Sequence, residues 1–273
     1  MQIEEFKEIG SSPSGSLPTG EGGGRGRLKF ISLGPGAAEM VTLGTLRFLR
    51  EAQKVYCFAV GESSHAADII AQLDIDQSKV ITVKVPMSHD REKANAVYDE
   101  LASTLKKEHE AGMTIAVATE GDSGIFATTH YVMDRLVEMG IECEQTPGIP
   151  SFIAAASIAG LHLVKLQERL LIIPGKTTAE EIIRLTNEGY NLVIMKLSMA
   201  HEAVSMAFLE AKDLQFHYFE NIGTPNQKYE ILKEMPNNFP YFSLMIINRP
   251  TPSPSHKWRG VDSNNPHNKL PNN

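Results

Sequence analysis

The strongest constraint on the fold of this chain is a regular alternation of short apolar runs with segments of helical periodicity. The runs LKFISLG, VYCFAV, KVITVKV and TIAVAT have the length and β-branched content of strands. The segments between them, such as REKANAVYDELASTLKKEHEAG, place apolar residues at helical spacing. A strand–helix–strand series is typical of a parallel sheet covered by helices. A second series runs from ERLLIIPG to PYFSLMII. We therefore predict an α/β protein with two lobes joined near residues 147–163.

Both ends of the sequence differ in composition from the body. Residues 11–26 and the stretch after Asn248 are rich in Ser, Gly, Pro and Asn. They hold too few apolar side chains to offset the entropy lost on ordering. We expect disorder over 1–27 and 249–273, an N-terminal lobe over 28–147, and a C-terminal lobe over 148–248.

The bulk composition excludes several classes of protein. A net charge of −7 opposes general binding to nucleic acid or to an anionic membrane. No apolar run reaches the ~18 residues of a membrane span, and the N-terminus MQIEEFKEIG lacks an apolar leader. The two cysteines do not make a disulfide framework, and the nine histidines show no metal-ligand spacing. We expect a cytoplasmic protein with a small-molecule substrate, no resident metal, and no nucleic-acid or membrane partner.

Three glycine-bearing turns follow predicted strands, which is where open parallel sheets bind their ligands. Glycine allows a close approach of the backbone, and helix N-termini offer free N–H groups. The turns are LGPGAAE (Leu33–Glu39), TEGDSG (Thr119–Gly124) and TPGIPSF (Thr146–Phe152).

The first turn is a poor match to a dinucleotide-binding loop. Gly34 and Gly36 would be the first two glycines of G-x-G-x-x-G, but Glu39 stands where the third belongs. Pro35 also removes a backbone N–H from the site where a phosphate would bind. A tight turn without a ligand remains the alternative for this segment alone.

The second turn carries two acids, Glu120 and Asp122. Two carboxylates at one turn repel phosphate and favour a cation, such as an ammonium or sulfonium group. The segment GIFATTHYVMDRLVEMG follows at once with helical spacing, so Asp122 is also a candidate helix cap. We expect Asp122→Asn to weaken ligand binding with a stability loss under about 1 kcal/mol, and Ser123→Pro to be tolerated.

The three turns, in this order, resemble the tetrapyrrole methylase family. The match lies in Gly34-Pro35-Gly36, Gly121-Asp122-Ser123 and Pro147-Gly148-Ile149 with AAAS, and it extends over about residues 30–248. It implies a parallel N-terminal sheet, a mixed C-terminal sheet, S-adenosylmethionine in the cleft between them, a tetrapyrrole substrate and a homodimer. The chain departs from the family where Ser123 replaces a usual proline. It departs again at Phe126, where tyrosine is common, and at Pro150, where a small hydroxyl residue is usual.

The resemblance also implies a set of site residues, although it names no catalytic one. The basic rim for the acetate and propionate groups of the substrate is assigned to Lys84 and Arg91. Lys196 is assigned to the cofactor, although a lysine there equally suits a substrate carboxylate. The implied cofactor-binding residues are Gly34, Pro35, Gly36, Glu120, Gly121, Asp122, Ile125, Pro150, Ser151 and Lys196.

Within the family, four stretches are similar to the methyltransferases that act at C-20 of precorrin-2 or cobalt-factor II in cobalamin biosynthesis. They are PMSHDRE, ESSHAADII, VIMKL and PYFSLMII. Two alternatives remain. One is a methylase of the same fold with another acceptor, either another corrin carbon or a diphthine-type acceptor, whose enzymes share the string ATTH at 127–130. The other is a cofactor-binding module without activity.

Overall fold

The structure, a computed structural model, describes residues 26–86 and 91–250. The predictions for most of both terminal segments, and for the centre of PMSHDRE, lie outside these residues. At the described ends the chain is tied to the body. Arg27 already belongs to the first strand, and the Arg249 side chain hydrogen-bonds to Asp213 and Asn187.

The N-terminal lobe contains a five-stranded sheet. Its strands are β1 (Arg27–Ser32), β2 (Lys54–Ala59), β3 (Val80–Lys84), β4 (Thr114–Thr119) and β5 (Glu144–Gln145). The spatial order is β3-β2-β4-β1-β5, and every neighbouring pair is parallel. The predicted parallel sheet is confirmed.

Helices cover both faces of this sheet. They are α1 (Leu43–Glu51), α2 (His65–Ala71), α3 (Arg91–Glu110) and α4 (His130–Glu138). Because successive strand residues point to opposite faces, β1 supplies both halves of the core. Ile31 packs with α1 and α2, and Phe30 packs with α3 and α4. The carboxyl ends of β1 and β4 are thereby held side by side.

The C-terminal lobe contains a second five-stranded sheet, which is mixed. Its strands are β6 (Arg169–Ile173), β7 (Tyr190–Ile194), β8 (Gln215–Glu220), β9 (Lys228–Ile231) and β10 (Ser243–Asn248). The order is β6-β7-β10-β8-β9, parallel at β6–β7 and antiparallel elsewhere. The predicted mixed sheet is confirmed.

Three further helices complete this lobe, namely α5 (Ser151–Ile158), α6 (Ala179–Asn187) and α7 (His201–Glu210). One sheet face packs against α6 and α7. The opposite face packs against α5 and also receives Met40 and Ile125 from the N-terminal lobe. That second face is therefore where the two lobes meet. In the part of the chain seen in the structure, no helix is both long and apolar enough to cross a membrane.

The helix after the TEGDSG turn begins later than predicted. α4 starts at His130, and residues 120–129 form turns. Phe126 has a φ of 53°, which no right-handed helix accommodates. Within α4, Val132 and Leu136 are buried in the core, whereas Val137 is 59% exposed. The expected helix over 124–140 is therefore wrong in its first half.

Candidate active site

A cleft opens between the two lobes at the carboxyl ends of β1 and β4. Its volume is about 220 Å³, far above the ~10–15 Å³ that a single water needs, so it suits a small organic ligand. Except for Gly34 and Gly36, all the predicted cofactor residues line it. These lining residues are Pro35, Glu120, Gly121, Asp122, Ile125, Pro150, Ser151 and Lys196.

The first two predicted turns are joined by their backbones. The Gly34 N–H donates to the Gly121 carbonyl at 3.0 Å, and the Gly121 N–H donates to the Gly34 carbonyl at 2.7 Å. Both glycines have positive φ, 76° and 66°, a conformation that costs glycine no steric strain. Gly34 does not line the cleft itself, but its backbone hydrogen bonds hold Gly121, which does.

Asp122 ties the second turn to the third. Its Oδ1 accepts a hydrogen bond from the Gly124 N–H at 2.8 Å, and its Oδ2 accepts one from the Gly148 N–H at 2.7 Å. The contact is close, because a Cβ added at Gly148 would lie 2.4 Å from the Gly121 carbonyl oxygen. The position before α4 belongs to Thr129, which makes no side-chain cap. The interpretation of Asp122 as a helix cap is wrong; it joins two turns.

A buried hydroxyl network lies beneath these turns. The Ser123 N–H donates to Ser32 Oγ at 2.9 Å, and Ser32 Oγ donates to the Thr146 carbonyl at 2.7 Å. Thr45 Oγ1 lies 3.0 Å from Thr146 Oγ1 and donates to the Ser32 carbonyl at 3.2 Å. The departure from the family's proline at Ser123 therefore has a structural reason, because proline has no N–H to give to Ser32.

Gly36 connects the two lobes. A Cβ added at Gly36 would lie 2.8 Å from the carbonyl carbon of Gly223, which follows β8. Gly223 has a φ of 82°, and a Cβ added there would lie 3.0 Å from the Gly36 nitrogen. The glycine requirement at Gly36 comes from this backbone contact, and Gly36 does not line the cleft.

Backbone strain is concentrated at the cleft. Phe126, Lys196 and Asn221 line it and have φ values of 53°, 53° and 49°, which non-glycine residues rarely adopt. Within residues 26–86 and 91–250, only Leu166 shares this feature elsewhere. Lys196 Nζ lies 5.6 Å from the centre of the Phe126 ring, a cation–π contact across the lobes. Strain of this kind persists where the surroundings enforce it, and it clusters at functional sites.

Glu120 is the electrostatically unusual group of the cleft. Burial disfavours its charged form and raises its pKa from the ordinary 4.5 to about 7. His65 Nδ1 lies 3.9 Å from Glu120 Oε2. Burial also raises the pKa of Tyr241, with a further contribution from the negative charge of Glu120.

The structure adds lining residues that sequence reasoning missed. His65 is the first residue of α2, and Tyr241 and Phe242 precede β10. The position of His65 just after a parallel strand was an available signal. Tyr241 and Phe242 belong to PYFSLMII, one of the stretches that carry the finer resemblance, but no site role was assigned to them.

The two basic residues assigned to the substrate lie away from the cleft lining. Lys84 Nζ pairs with Glu62 Oε1 at 2.5 Å, and both side chains are largely exposed. Arg91 donates to the Tyr131 hydroxyl at 3.2 Å. Neither residue lines the cleft.

The chemistry of the cleft fits a cationic cofactor. Two carboxylates line it, and a Cβ at Gly121 would meet nothing within 4 Å, so open space adjoins this backbone. A pyrophosphate would face these acids, whereas a sulfonium or ammonium group is attracted to them. Among the residues that the structure describes, no group of three His, Cys, Asp or Glu side chains is placed to hold a metal ion.

Two α/β lobes, with a cleft built from joined glycine turns and suited to a cation, define the two-lobed class of methyltransferases. The family model for Tetrapyrrole (Corrin/Porphyrin) Methylases matches residues 27–235, and the chain belongs to this family. The resemblance deduced from the three turns is confirmed, and the chain is an enzyme of the methyltransferase class.

Two relatives are similar over most of their length. The cobalt-precorrin-2 C(20)-methyltransferase of Salmonella typhimurium is 28% identical over 236 residues, covering 82% of this chain and 97% of the relative. The precorrin-2 C(20)-methyltransferase of a Sinorhizobium species is 27% identical over 237 residues, covering 83% and 96%.

Solved structures confirm the fold. A cobalt precorrin-4 methyltransferase superposes with a TM-score of 0.62 at 16% identity, covering 81% of this chain and 94% of that one. The uroporphyrin-III C-methyltransferase of Thermus thermophilus, solved with S-adenosylhomocysteine, gives a TM-score of 0.58 at 18% identity, covering 82% and 97%. At such identities the likeness concerns the fold alone.

Proposed function

We propose that this chain is an S-adenosylmethionine-dependent C-methyltransferase of cobalamin biosynthesis that methylates precorrin-2 or cobalt-factor II at C-20. The observation that carries the proposal is the similarity to two C-20 methyltransferases over nearly their whole length. One is named for a cobalt-bearing substrate and the other for a metal-free one, so both substrates stay in the proposal.

The cleft supports the choice of cofactor. S-adenosylmethionine, when bound, supplies an electrophilic methyl group on a positively charged sulfur. Glu120 and Asp122 provide the negative charge that attracts it, and Gly121 provides backbone beside open space. We assign direct contacts to the predicted residues that line the cleft, and a supporting role to Gly34 and Gly36.

The mouth of the cleft supports the choice of substrate. Phe126 and Tyr241 are 43% and 60% exposed, and Phe242 lies 4.8 Å from Tyr241 between ring centres. Exposed aromatic faces suit a flat conjugated macrocycle. The Lys196 ammonium is available for a substrate carboxylate. Lys84 and Arg91 are kept as proposed contacts for acid groups that extend beyond the cleft.

The chain contributes mainly by holding its reactants in line. An electron-rich meso carbon needs no activated Ser, Cys or Lys. Oriented reactants gain about 7–11 kcal/mol over a bimolecular encounter. The joined turns and the strained backbone of Phe126, Lys196 and Asn221 make the rigid frame that this requires.

The test is a reaction of the full chain with S-adenosylmethionine and either precorrin-2 or cobalt-factor II, followed by mass spectrometry and NMR. We expect a gain of one methyl group at C-20. A methyl group on a different carbon would replace the proposal with another corrin methyltransferase. Cofactor binding without methylation of either substrate would refute it.

We also propose that the protein acts as a homodimer in the cytoplasm. Met206 and Leu209 are exposed apolar residues on α7, 41% and 66% accessible, and they offer surface for self-association. Light scattering coupled to size exclusion would show a mass twice that of the chain; a monomer at micromolar concentration would refute the dimer.

A further inference from the structure

We propose that Glu120 is the general base that accepts the proton lost from the methylated carbon, and that His65 is a positioning residue that passes this proton to solvent. The inference rests on the proposed function, because it requires a reaction in which a carbon loses a proton. It concerns a different event from cofactor binding and is tested separately.

The first support is the position of Glu120. The residue directly follows β4, and its side chain lines the cleft with 40% of its surface exposed. It lies 3.9 Å from His65, whose ring packs on Phe242 of the aromatic mouth with centres 3.9 Å apart. A group there reaches a ligand seated at the mouth.

The second support is the shape of the mouth. The His65 ring packs on Phe242 with centres 3.9 Å apart, and Tyr241 adjoins Phe242. A flat macrocycle that packs on one of these rings would place part of its perimeter over the cleft, with a face turned towards the methyl donor. The meso carbons lie on that perimeter, so the reacting carbon is directed towards Glu120.

The third support is the state of the other groups. The charged and titratable side chains that line the cleft with Glu120 are His65 from α2, Asp122 from the same turn, Lys196 after β7 and Tyr241 before β10. Asp122 has both oxygens engaged by backbone N–H groups. Lys196 carries a positive charge, and the raised pKa of Tyr241 keeps its hydroxyl protonated.

Glu120 differs from these groups in having a carboxylate without a hydrogen-bond donor among the described residues; the imidazole of His65 lies 3.9 Å away. Burial raises the pKa of Glu120 to about 7. A base is most effective when its pKa lies near the working pH. The distance of 3.9 Å to His65 is beyond a direct hydrogen bond, and one bridging water would complete it. His65 is 42% exposed and opens to solvent.

The proposed step balances. The meso carbon forms a bond to the methyl carbon, the bond from that carbon to sulfur breaks, and its electron pair returns to sulfur. The proton formerly on the meso carbon passes to the Glu120 carboxylate, and its bonding pair restores the conjugation of the macrocycle. Glu120 then releases the proton through His65, so each turnover yields one methylated product and one proton.

The experiment compares wild type with Glu120→Gln, which keeps the shape and removes the base. The exposed Glu100 on α3 provides the matched control, Glu100→Gln. We expect kcat of Glu120→Gln to fall by about 10²–10⁴-fold, the usual contribution of general acid–base catalysis. The acid limb of the wild-type profile of kcat/KM against pH, which reports the free enzyme and has its midpoint near pH 7, should vanish. Affinity for S-adenosylhomocysteine, which lacks the sulfonium charge, should stay within about threefold, because the cleft keeps its shape.

A second readout uses no methyl donor. Hydrogen–deuterium exchange at C-20 of the bound substrate in D₂O requires a group that donates and accepts a proton at that carbon. Wild type should accelerate this exchange, and Glu120→Gln should not. A variant that loses turnover but exchanges at the wild-type rate would show that Glu120 acts on the methyl donor and would overturn the inference.

Further outcomes separate the inference from the proposed function. If wild type methylates C-20 and Glu120→Gln keeps its kcat and pH profile, the inference fails and the function stands. If wild type methylates neither substrate, both fail. Should Glu120→Gln not fold, Glu120→Asp and His65→Gln take its place. The first should keep the acid limb with a lower kcat, and the second should lower both kcat and the rate of exchange, because the proton on Glu120 reaches solvent through His65; an unchanged kcat in both would refute the inference.

Discussion

Glu120 illustrates how an acid that lines the cleft is held at a cost in stability. Its pKa in the folded chain is about 7, above the ordinary 4.5. The folded state therefore favours the protonated form, and the stability contribution is fully present below pH 4.5 and is lost as the pH rises through 7. The shift corresponds to 1.36 kcal/mol per pH unit. Because 40% of the side chain is exposed, screening reduces the loss to about 1–2 kcal/mol at pH 8.

Glu120→Gln replaces the carboxyl group, whose pKa is raised, with an amide that does not titrate. Relative to wild type, we expect the variant to gain about 1–2 kcal/mol between pH 4.5 and pH 8, which raises its melting temperature by about 2–4 °C per kcal/mol. Thermal melts of both proteins across this pH range provide the check, with Glu100→Gln as the control. A difference in melting temperature that does not change with pH would show that the pKa of Glu120 is not raised.

Asp122, two residues away, has the opposite character. Each of its oxygens accepts one backbone N–H. Asparagine has a single acceptor and would turn an NH₂ group towards the other donor. A hydrogen bond to a charged group contributes about 1.5–3 kcal/mol, so we expect Asp122→Asn to lose that amount, more than the cap interpretation allowed. Urea unfolding of the variant measures it, and a loss below about 0.5 kcal/mol would contradict the turn-joining role.

At the residue scale, the sequence predicted the parts of the cleft that carry local motifs. Pro35 and Pro150, which the family resemblance assigned to the cofactor, both belong to glycine turns and line the cleft. His65 and Tyr241 lie in ESSHAADII and PYFSLMII, stretches that carried the resemblance, but their place in the cleft depends on contacts across the lobes, so no site role was assigned to them. Lys84 was assigned to the substrate from its place at a strand end, yet its ammonium pairs with Glu62 outside the cleft.

At the scale of elements, Ser123 both departs from the family motif and takes part in the buried hydroxyl network. Its N–H and hydroxyl both contact Ser32 Oγ, at 2.9 and 3.1 Å, in a buried site. Ser123→Pro removes the N–H donor and leaves buried groups unpaired. We therefore expect this variant to lose about 1–3 kcal/mol of stability. This replaces the expectation, made from the sequence, that proline would be tolerated here. Ser123→Ala, which keeps the N–H, serves as the control. A proline variant as stable as the alanine variant would show that this N–H is unimportant.

The junction of the turns tolerates no side chain at Gly148. A Cβ there would lie 2.4 Å from the Gly121 carbonyl oxygen and 2.5 Å from Ser32 Cβ. We expect Gly148→Ala to destabilise the chain by about 1–3 kcal/mol, as overpacking usually does, and to weaken cofactor binding because Gly121 lines the cleft. Gly44→Ala in α1, where the nearest atom is 3.9 Å away, is the control and should be neutral or stabilising. Calorimetric melting of both variants is the measurement; equal melting temperatures would contradict the close contact.

Element boundaries were predicted where the pattern was periodic and missed where it was not. β9 was missed because it has only four residues, KYEI, and none of them is buried, so its short alternation of polar and apolar side chains does not stand out as a strand. The start of α4 was placed too early because Ile125 fits the helical spacing of its apolar residues. The positive φ of Phe126, which prevents a helix there, cannot be recognised from the sequence. Tertiary contacts decided both.

At the scale of the whole molecule, the fold was predictable because its signal is repeated. Each of β1, β2 and β4 is an apolar run long enough for a sheet buried on both faces, and amphipathic segments fall between them. The relative placement of the lobes was not predictable from periodicity. It depends on contacts such as Gly36 against Gly223 and Lys196 against Phe126, which join residues more than 60 positions apart.

Because both lobes line the cleft, its ligand should stabilise the molecule as one unit. Pro35 and Gly121 come from one lobe, and Ser151, Asn221 and Leu244 come from the other. A ligand that bridges them binds the folded state only, and at a hundred times its Kd it contributes about 2.7 kcal/mol. We expect S-adenosylhomocysteine to raise the melting temperature of the full chain by about 5–10 °C in a single transition, and NADH at the same concentration to leave it unchanged. Two separate transitions, of which only one responds, would mean that the ligand contacts one lobe alone. A response to NADH but not to S-adenosylhomocysteine would reverse the assignment of the cofactor.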